Sequence, residues 1–336
     1  MQFSPQAKPP VGVIFDCDMG NGIDDALALA LLYGLDGKNE ARVVSVSITK
    51  SNLKAALFAE AMIKPYSGPF SRMLPIGLAI DGRMPEDTPI LTWPLSRRKP
   101  DGEPLYATTI KTLNDTAEVA PLIRNALTAQ HDQNAIVVLV GPATNLVAAL
   151  ALTGVRELIA RKVRYLSMMG GAFPGGEAEF NIKSDIPAAK KLFAEWPTEI
   201  VTAGFEVGNA ILYPGASIDK DFVWAPAHPL VDAYRAYKPM PYDTETWDLA
   251  AVLHAVRPKE GYFSLGTISV QDDGRTVFSA SPSGKHRYLI VDPAQKERIV
   301  KAYVELISAK PVPRLPRNRQ AVMPPPAEPK KEPVKP

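Results

Sequence analysis

The chain has 336 residues, 46% of them apolar, and a formal net charge of +2, enough for one large α/β domain or two ordinary ones around a sizeable core. Near-balanced charge, with no basic patch interleaved with aromatics, argues against polymeric nucleic acid as a partner, and a single cysteine excludes an intrachain disulfide or a cysteine-based zinc site. No apolar run is long enough to span a membrane, and the opening residues lack the apolar stretch of a secretion signal, which makes the cytoplasm the default and leaves the compartment open.

In chain order, residues 1–10 read as an extended N-terminal segment. Val11 to Phe15 is a short buried strand and Ala26 to Leu35 an apolar helix. A strand at Val43 to Ile48, a helix at Asn52 to Lys64 and a short strand at Leu74 to Leu78 follow. Residues 79–115 are rich in Pro, Arg, Asp and Thr, carry little periodicity, and read as a long loop or loop cluster of the kind that is often functional. Then come helix Ala117 to Ala129, strand Ala135 to Val140, helix Thr144 to Leu152, strand Lys162 to Met169, helix Asp185 to Glu195 and strand Glu199 to Phe205. Helices near His228 to Tyr237 and Trp247 to Val256 complete the alternation. Strands alternating with ten-residue helices predict an open, doubly wound, mostly parallel sheet. Residues 262–292 alternate differently and are broken at Gln271 to Gly274 and Ser281 to Gly284, which predicts a small antiparallel appendage with two hairpin turns. Pro293 to Ser308 reads as a closing helix. The predicted α/β domain spans 11–310, and 311–336, where many of the 33 prolines gather, reads as a disordered tail.

The densest chemistry lies between the first strand and the first helix, where Asp16, Asp18, Asp24 and Asp25 crowd one turn. In open α/β sheets such a turn faces the ligand crevice. Two carboxylates about 4 Å apart repel by roughly 4 kcal/mol at an effective dielectric near 20, so several ionised together call for a cation. Oxygen donors without a nearby His or Cys partner favour Ca²⁺ or Mg²⁺ over zinc. Cys17 alternates away from its acidic neighbours and reads as a core residue. Helix capping alone would need one carboxylate, and four are present. Further along, Gly141-Pro142 ends a strand and leaves the Val140 carbonyl able to complete an oxygen site. Glu179 and Asn181 straddle Phe180, so in extended chain both face one way, suited to a polyhydroxyl ligand. Asp248 opens an otherwise apolar helix beside Trp247, a costly place for a charge without a partner.

These landmarks, in this order, resemble the inosine-uridine-preferring nucleoside hydrolases. The resemblance runs over residues 11–256: the aspartate turn, Gly141-Pro142-Ala143-Thr144-Asn145, Met169-Gly170-Gly171 followed by Glu179-Phe180-Asn181, and Asp248 at a late helix start. It implies Ca²⁺-dependent hydrolysis of the N-glycosidic bond of a ribonucleoside, to ribose and free base, by direct attack of a metal-bound water. It implies a small-molecule nucleoside or ribosyl substrate and is compatible with a homo-oligomer. Residue by residue, Asp18 resembles the calcium ligand that also acts as general base. Asp25 and Asp248 resemble the other carboxylate ligands, and Val140 the carbonyl donor. Asp24 and Asn52 resemble ribose-hydroxyl contacts, and Glu179 and Asn181 the contacts on the 5′ side. Asp16 is expected to support the ligands from behind. An oxocarbenium-like transition state suits such a ring of fixed carboxylates.

The chain departs from the family's common pattern twice. Met19 to Ile23 makes the turn two residues longer than the usual form and removes its proline. Trp247 stands where many members carry a leaving-group histidine, as in purine-preferring members, where an aromatic stacks on the base. Trp93 or Tyr242 is the expected second face of that stack. Two other readings compete: a calcium-dependent ribose-binding protein without efficient catalysis, and a Mg²⁺ phosphatase resembling the haloacid dehalogenases through Asp16-Cys17-Asp18.

Overall fold

The computed structural model describes residues 10–67, 73–258 and 262–312. The expected disordered tail beyond 312 and residues 1–9 of the expected N-terminal segment lie outside them. The strands are β1 (Val11–Cys17), β2 (Ala41–Ile48), β3 (Ile76–Leu78), β4 (Ala135–Leu139), β5 (Val163–Met169), β6 (Glu199–Ala203), β7 (Leu212–Tyr213), β8 (Thr244–Glu245), β9 (Tyr262–Val270), β10 (Thr276–Ala280) and β11 (His286–Ile290). The helices of the first half are α1 (Asp24–Gly37), α2 (Leu53–Ile63), α3 (Pro89–Ser96), α4 (Val119–Thr128), α5 (Thr144–Leu150) and α6 (Val155–Lys162). Those of the second half are α7 (Phe180–Ser184), α8 (Ile186–Glu195), α9 (Phe205–Ala210), α10 (Ala216–Lys220), α11 (Pro229–Tyr237), α12 (Trp247–Val256) and α13 (Pro293–Ile307).

One sheet runs in the order β10-β9-β11-β6-β5-β4-β1-β2-β3, and its stretch from β11 to β3 is parallel throughout. Strand alternation sends Val13, Phe15 and Cys17 of β1 into one apolar layer and Ile14 into the other. The first layer is closed by α1, α2, α12 and α13, the second by α4, α5, α6 and α8. Helix α1 is buried on nearly every side, which explains its unbroken apolar text. Removing a side chain such as Leu29 from water contributes about 2 kcal/mol before cavity effects are counted. Gly34 lets α1 meet the last helix closely, since a Cβ there would stand 2.1 Å from the Leu306 carbonyl oxygen.

The strand order reverses between β1 and β4, because β2 and β3 lie on one side of β1 and β4, β5 and β6 on the other. That switch point opens a crevice at the strands' carboxyl ends, where Asp18 and Val140 emerge. The doubly wound, mostly parallel sheet matches the expectation.

Several local expectations change. Within 79–115 lies α3, whose text is obscured by Pro89 at its start and Pro94 inside it. Helix α6 follows Gly154, which takes φ 76°, a left-handed conformation that ends the preceding turn. The antiparallel strands extend the main sheet, because β11 pairs parallel with β6 and antiparallel with β9. The turn at Gln271 to Gly274 joins the β9–β10 hairpin, whereas the one at Ser281 to Gly284 carries the chain past β9 to its other side and is not a hairpin.

Candidate functional site

At the switch point lies a cavity of about 680 Å³. Its floor is acidic. Asp18 leaves the end of β1, Asp24 and Asp25 form the first turn of α1, and Asp248 the first turn of α12, all nearly buried. Helix N-termini favour anionic side chains, so two of these elements present their acids where the helix field stabilises them. Carboxylate oxygens of Asp24, Asp25 and Asp248 lie within 4.8 Å of one another, and Asp25 Oδ1 is buried with no hydrogen-bond donor.

Burial pushes all these acids upward from the usual carboxylate range. Asp24 rises to about 7, by burial first and by the charge of Asp18 second. Asp25 and Asp248 are driven well up by burial and then by their acidic neighbours. Asp18 is raised by burial and held back by hydrogen bonding from Asn21 and by the nearby Lys50 charge. Such a cluster is unstable as anions unless a cation joins it. An orphaned carboxylate oxygen among oxygen-only donors fits a hard divalent cation. The tight cluster pairs Asp25 and Asp248 with Asp24, whereas the expected ligand set pairs them with Asp18.

Beneath the floor, Asp16 is fully buried and faces away from the cavity. It accepts from Ser47 Oγ, from Thr49 Oγ1 at 3.3 Å and from Asn145 Nδ2 at 3.0 Å, tying β1 to β2 and α5. Burial raises its carboxyl to about 7.

On the far side Glu179 and Asn181 both line the cavity, though not in extended chain. Glu179 is the N-cap of α7, accepting from Asn181 N at 2.9 Å and Ile182 N at 3.2 Å, and it also takes Gly171 N at 3.0 Å. Asn181 Nδ2 donates to the Val140 carbonyl at 3.2 Å. The two side chains therefore reach the cavity through helix geometry, with Glu179 already engaged by three backbone donors.

The remaining wall is aromatic. Trp247 lies nearly parallel to Phe205, ring centroids 5.8 Å apart and planes 22° apart, and Phe173 and Tyr237 join the same cavity. Phe205 is 46% exposed, so one ring of the pair remains open to a ligand. Beside it Glu206 accepts from Phe173 N at 3.0 Å and secures the turn after β5 against α9.

Three expectations are corrected here. Asn52 does not enter the cavity: it caps α2, accepting from Lys54 N, and its amide donates to the Pro85 carbonyl at 2.8 Å and Asp87 Oδ1 at 3.0 Å. The amide beside the acidic floor is Asn21, from the lengthened turn. Trp93 stands on a separate groove with Arg97, and Tyr242 stacks on Tyr234, so neither faces Trp247. Sequence reasoning misses Phe205 and Lys50 as functional candidates, although both lie just past a strand's carboxyl end, where ligand-facing residues gather. Tyr237, at the end of α11, carries no comparable mark in the text.

The family model for the inosine-uridine preferring nucleoside hydrolases matches residues 13–306. Among solved structures, a plant nucleoside hydrolase superposes with a TM-score of 0.68 at 20% identity, covering 90% of this chain and 100% of its own. A purine-preferring ribonucleoside hydrolase from Gardnerella vaginalis gives a TM-score of 0.65 at 20% identity, covering 88% and 98%. An inosine-uridine preferring nucleoside hydrolase from Bacillus anthracis gives 0.63 at 17%, covering 88% and 99%. Among curated proteins no sequence matches significantly. The phosphatase reading falls with these matches. The landmarks from the aspartate turn to Asp248 lie inside the matched span, and the chain belongs to the inosine-uridine preferring nucleoside hydrolase family, whose members cleave the N-glycosidic bond of nucleosides.

Proposed function

We propose that the chain hydrolyses purine ribonucleosides in a calcium-dependent reaction. The observation that carries this reading is the juxtaposition, in one cavity, of a buried acidic floor with an orphaned carboxylate oxygen and an open aromatic wall. Asp25, Asp248 and the Val140 carbonyl would hold the cation, with Asp18 and Asp24 flanking it. When bound, calcium supplies charge compensation for the floor, orients the ribose diol and makes a water more acidic.

The chain's own residues account for the rest. Asp18 accepts a proton from the attacking water, whose oxygen adds to C1′ as the C1′–N bond breaks and the base departs with the bonding electrons. Asp24 accepts from a ribose hydroxyl, while Glu179 and Asn181 fix the 5′ side and thereby orient C1′ over the floor. Fixed negative groups facing the sugar stabilise the positive charge that develops there. Trp247 and Phe205 receive a flat base, and the departing purine takes its proton from solvent.

The test measures hydrolysis of inosine, adenosine, uridine and a nitrophenyl riboside, with and without chelator. Purine turnover at least about tenfold above uridine, lost on chelation and restored by calcium, supports the reading, stacking differences being of this size. Turnover that survives chelation, or a preference for uridine, overturns it. Ribose binding through calcium without any turnover favours the ribose-binding alternative.

A further inference from the structure

One lysine is buried beside the acidic floor. Lys50 follows the end of β2 and is 1% exposed. Its Nζ donates to Asn21 Oδ1 at 2.8 Å and to the Met84 carbonyl at 2.9 Å. Asn21 in turn donates through Nδ2 to Asp18 Oδ2 at 2.7 Å. The direction of this chain is forced by chemistry: an ammonium only donates and a carboxylate only accepts, so Asn21 cannot turn its amide over without losing both bonds. The backbone around it is also clamped. Thr88 Oγ1 donates to the Gly20 carbonyl at 2.7 Å, and Gly20, at φ +98°, lies so close to Leu91 that a Cβ would stand 2.4 Å from its side chain.

We propose that Lys50, buried, and Asn21, half-buried at the cavity's edge, form a strut that positions Asp18, fixing one carboxylate oxygen so that the other faces the attacking water. This rests on Asp18 being the base. The strut compensates for the longer turn: without a proline to stiffen Met19 to Ile23, side-chain bonds from Lys50, just past β2, and from Thr88 hold the turn instead. Lys50 and Asn21 are positioning residues, and Lys50 acts through Asn21.

The experiment uses the full chain and compares Asn21→Ala, Lys50→Met and the double variant, with Asp18→Asn as reference. Each single variant should lower kcat about 10- to 100-fold, the usual cost of losing a group that orients a reacting residue, while KM and calcium affinity stay within about twofold. The double variant should be no worse than the worse single variant, because both remove the same strut. Unchanged kcat in Asn21→Ala, with Asp18→Asn inactive, overturns the strut and leaves the hydrolase reading standing. Multiplying losses in the double variant overturn the claim that Lys50 acts through Asn21. Crystal structures decide independently of turnover: a reoriented Asp18 carboxylate in both single variants supports the proposal, and an unmoved one overturns it even if the wild type hydrolyses nothing.

Discussion

The floor and the wall of the cavity are built in different ways. Asp18, Asp24, Asp25 and Asp248 stand at the end of a central strand and the starts of two buried helices, where the main sheet dictates their positions. Trp247 shares the first turn of α12 with Asp248, but the rest of the wall, Phe173, Phe205 and Tyr237, comes from a turn, a six-residue helix and the end of α11. On the proposed reading the difference separates two tasks: groups that must sit within a fraction of an ångström are on the scaffold, and, Trp247 apart, groups that would receive the base are on its periphery.

Breaking the floor should cost most. Asp18→Asn should lower turnover by about 10³-fold or more while retaining much of the ribose binding, since removing a general base typically costs 10²- to 10⁴-fold. Comparable kcat in the variant would remove Asp18 from its role. Asp25→Asn should instead abolish calcium binding, read by calorimetry, and activity with it.

Metal removal tests the floor by stability. Its acids bind protons more tightly when folded than when unfolded, because burial raises them; Asp24 reaches about 7 against an ordinary 3.8. For Asp24 the metal-free fold has this contribution in full below the unfolded value of 3.8 and loses it progressively as pH rises to the folded value of about 7. In chelator the melting temperature should fall as pH rises from about 4 to about 7, and the increment given by calcium should widen over the same window, because the cation replaces protons. A calcium increment that is constant with pH would mean that these carboxyls are not the binding site.

The wall should respond more gently. Trp247→Ala should lower purine kcat/KM about tenfold and the nitrophenyl riboside much less, as expected when base stacking is lost. Equal losses would remove stacking from the account. The smallest effect belongs to Asn52→Ala, which should cost about 1 kcal/mol of stability through the lost helix cap and leave kcat unchanged. A large loss of kcat there would restore Asn52 to the ribose site.

The same contrast governs how much of the molecule is legible in its residues. Helix α12 runs from Trp247 to Val256 as expected, and the doubly wound sheet is visible because buried parallel strands and their crossover helices carry long apolar text. The floor is legible because four acids in one turn exceed what helix capping requires and repel one another without a cation. Phe205 and Tyr237 read as ordinary aromatics until the chain is folded. Helix α3 is hidden by its own prolines, and α6 and α9 are too short to show a period. Asn52 is assigned to the ribose by the family resemblance alone, whereas in the fold the lengthened turn brings Asn21 to the acids and Asn52 caps α2.

The close meeting of Gly34 with Leu306 has a consequence for how the protein is made. Helix α1, which bears Asp24 and Asp25, meets one of its packing partners only when α13, at Pro293–Ile307, has emerged from the ribosome. Until then the apolar flank of α1 that α13 will cover stays bare, a long-range dependence of the kind that slows folding and invites chaperones. Bulk added at Gly34 would thus act as a folding lesion, lowering yield in cells, before any change at the acidic cavity could be measured.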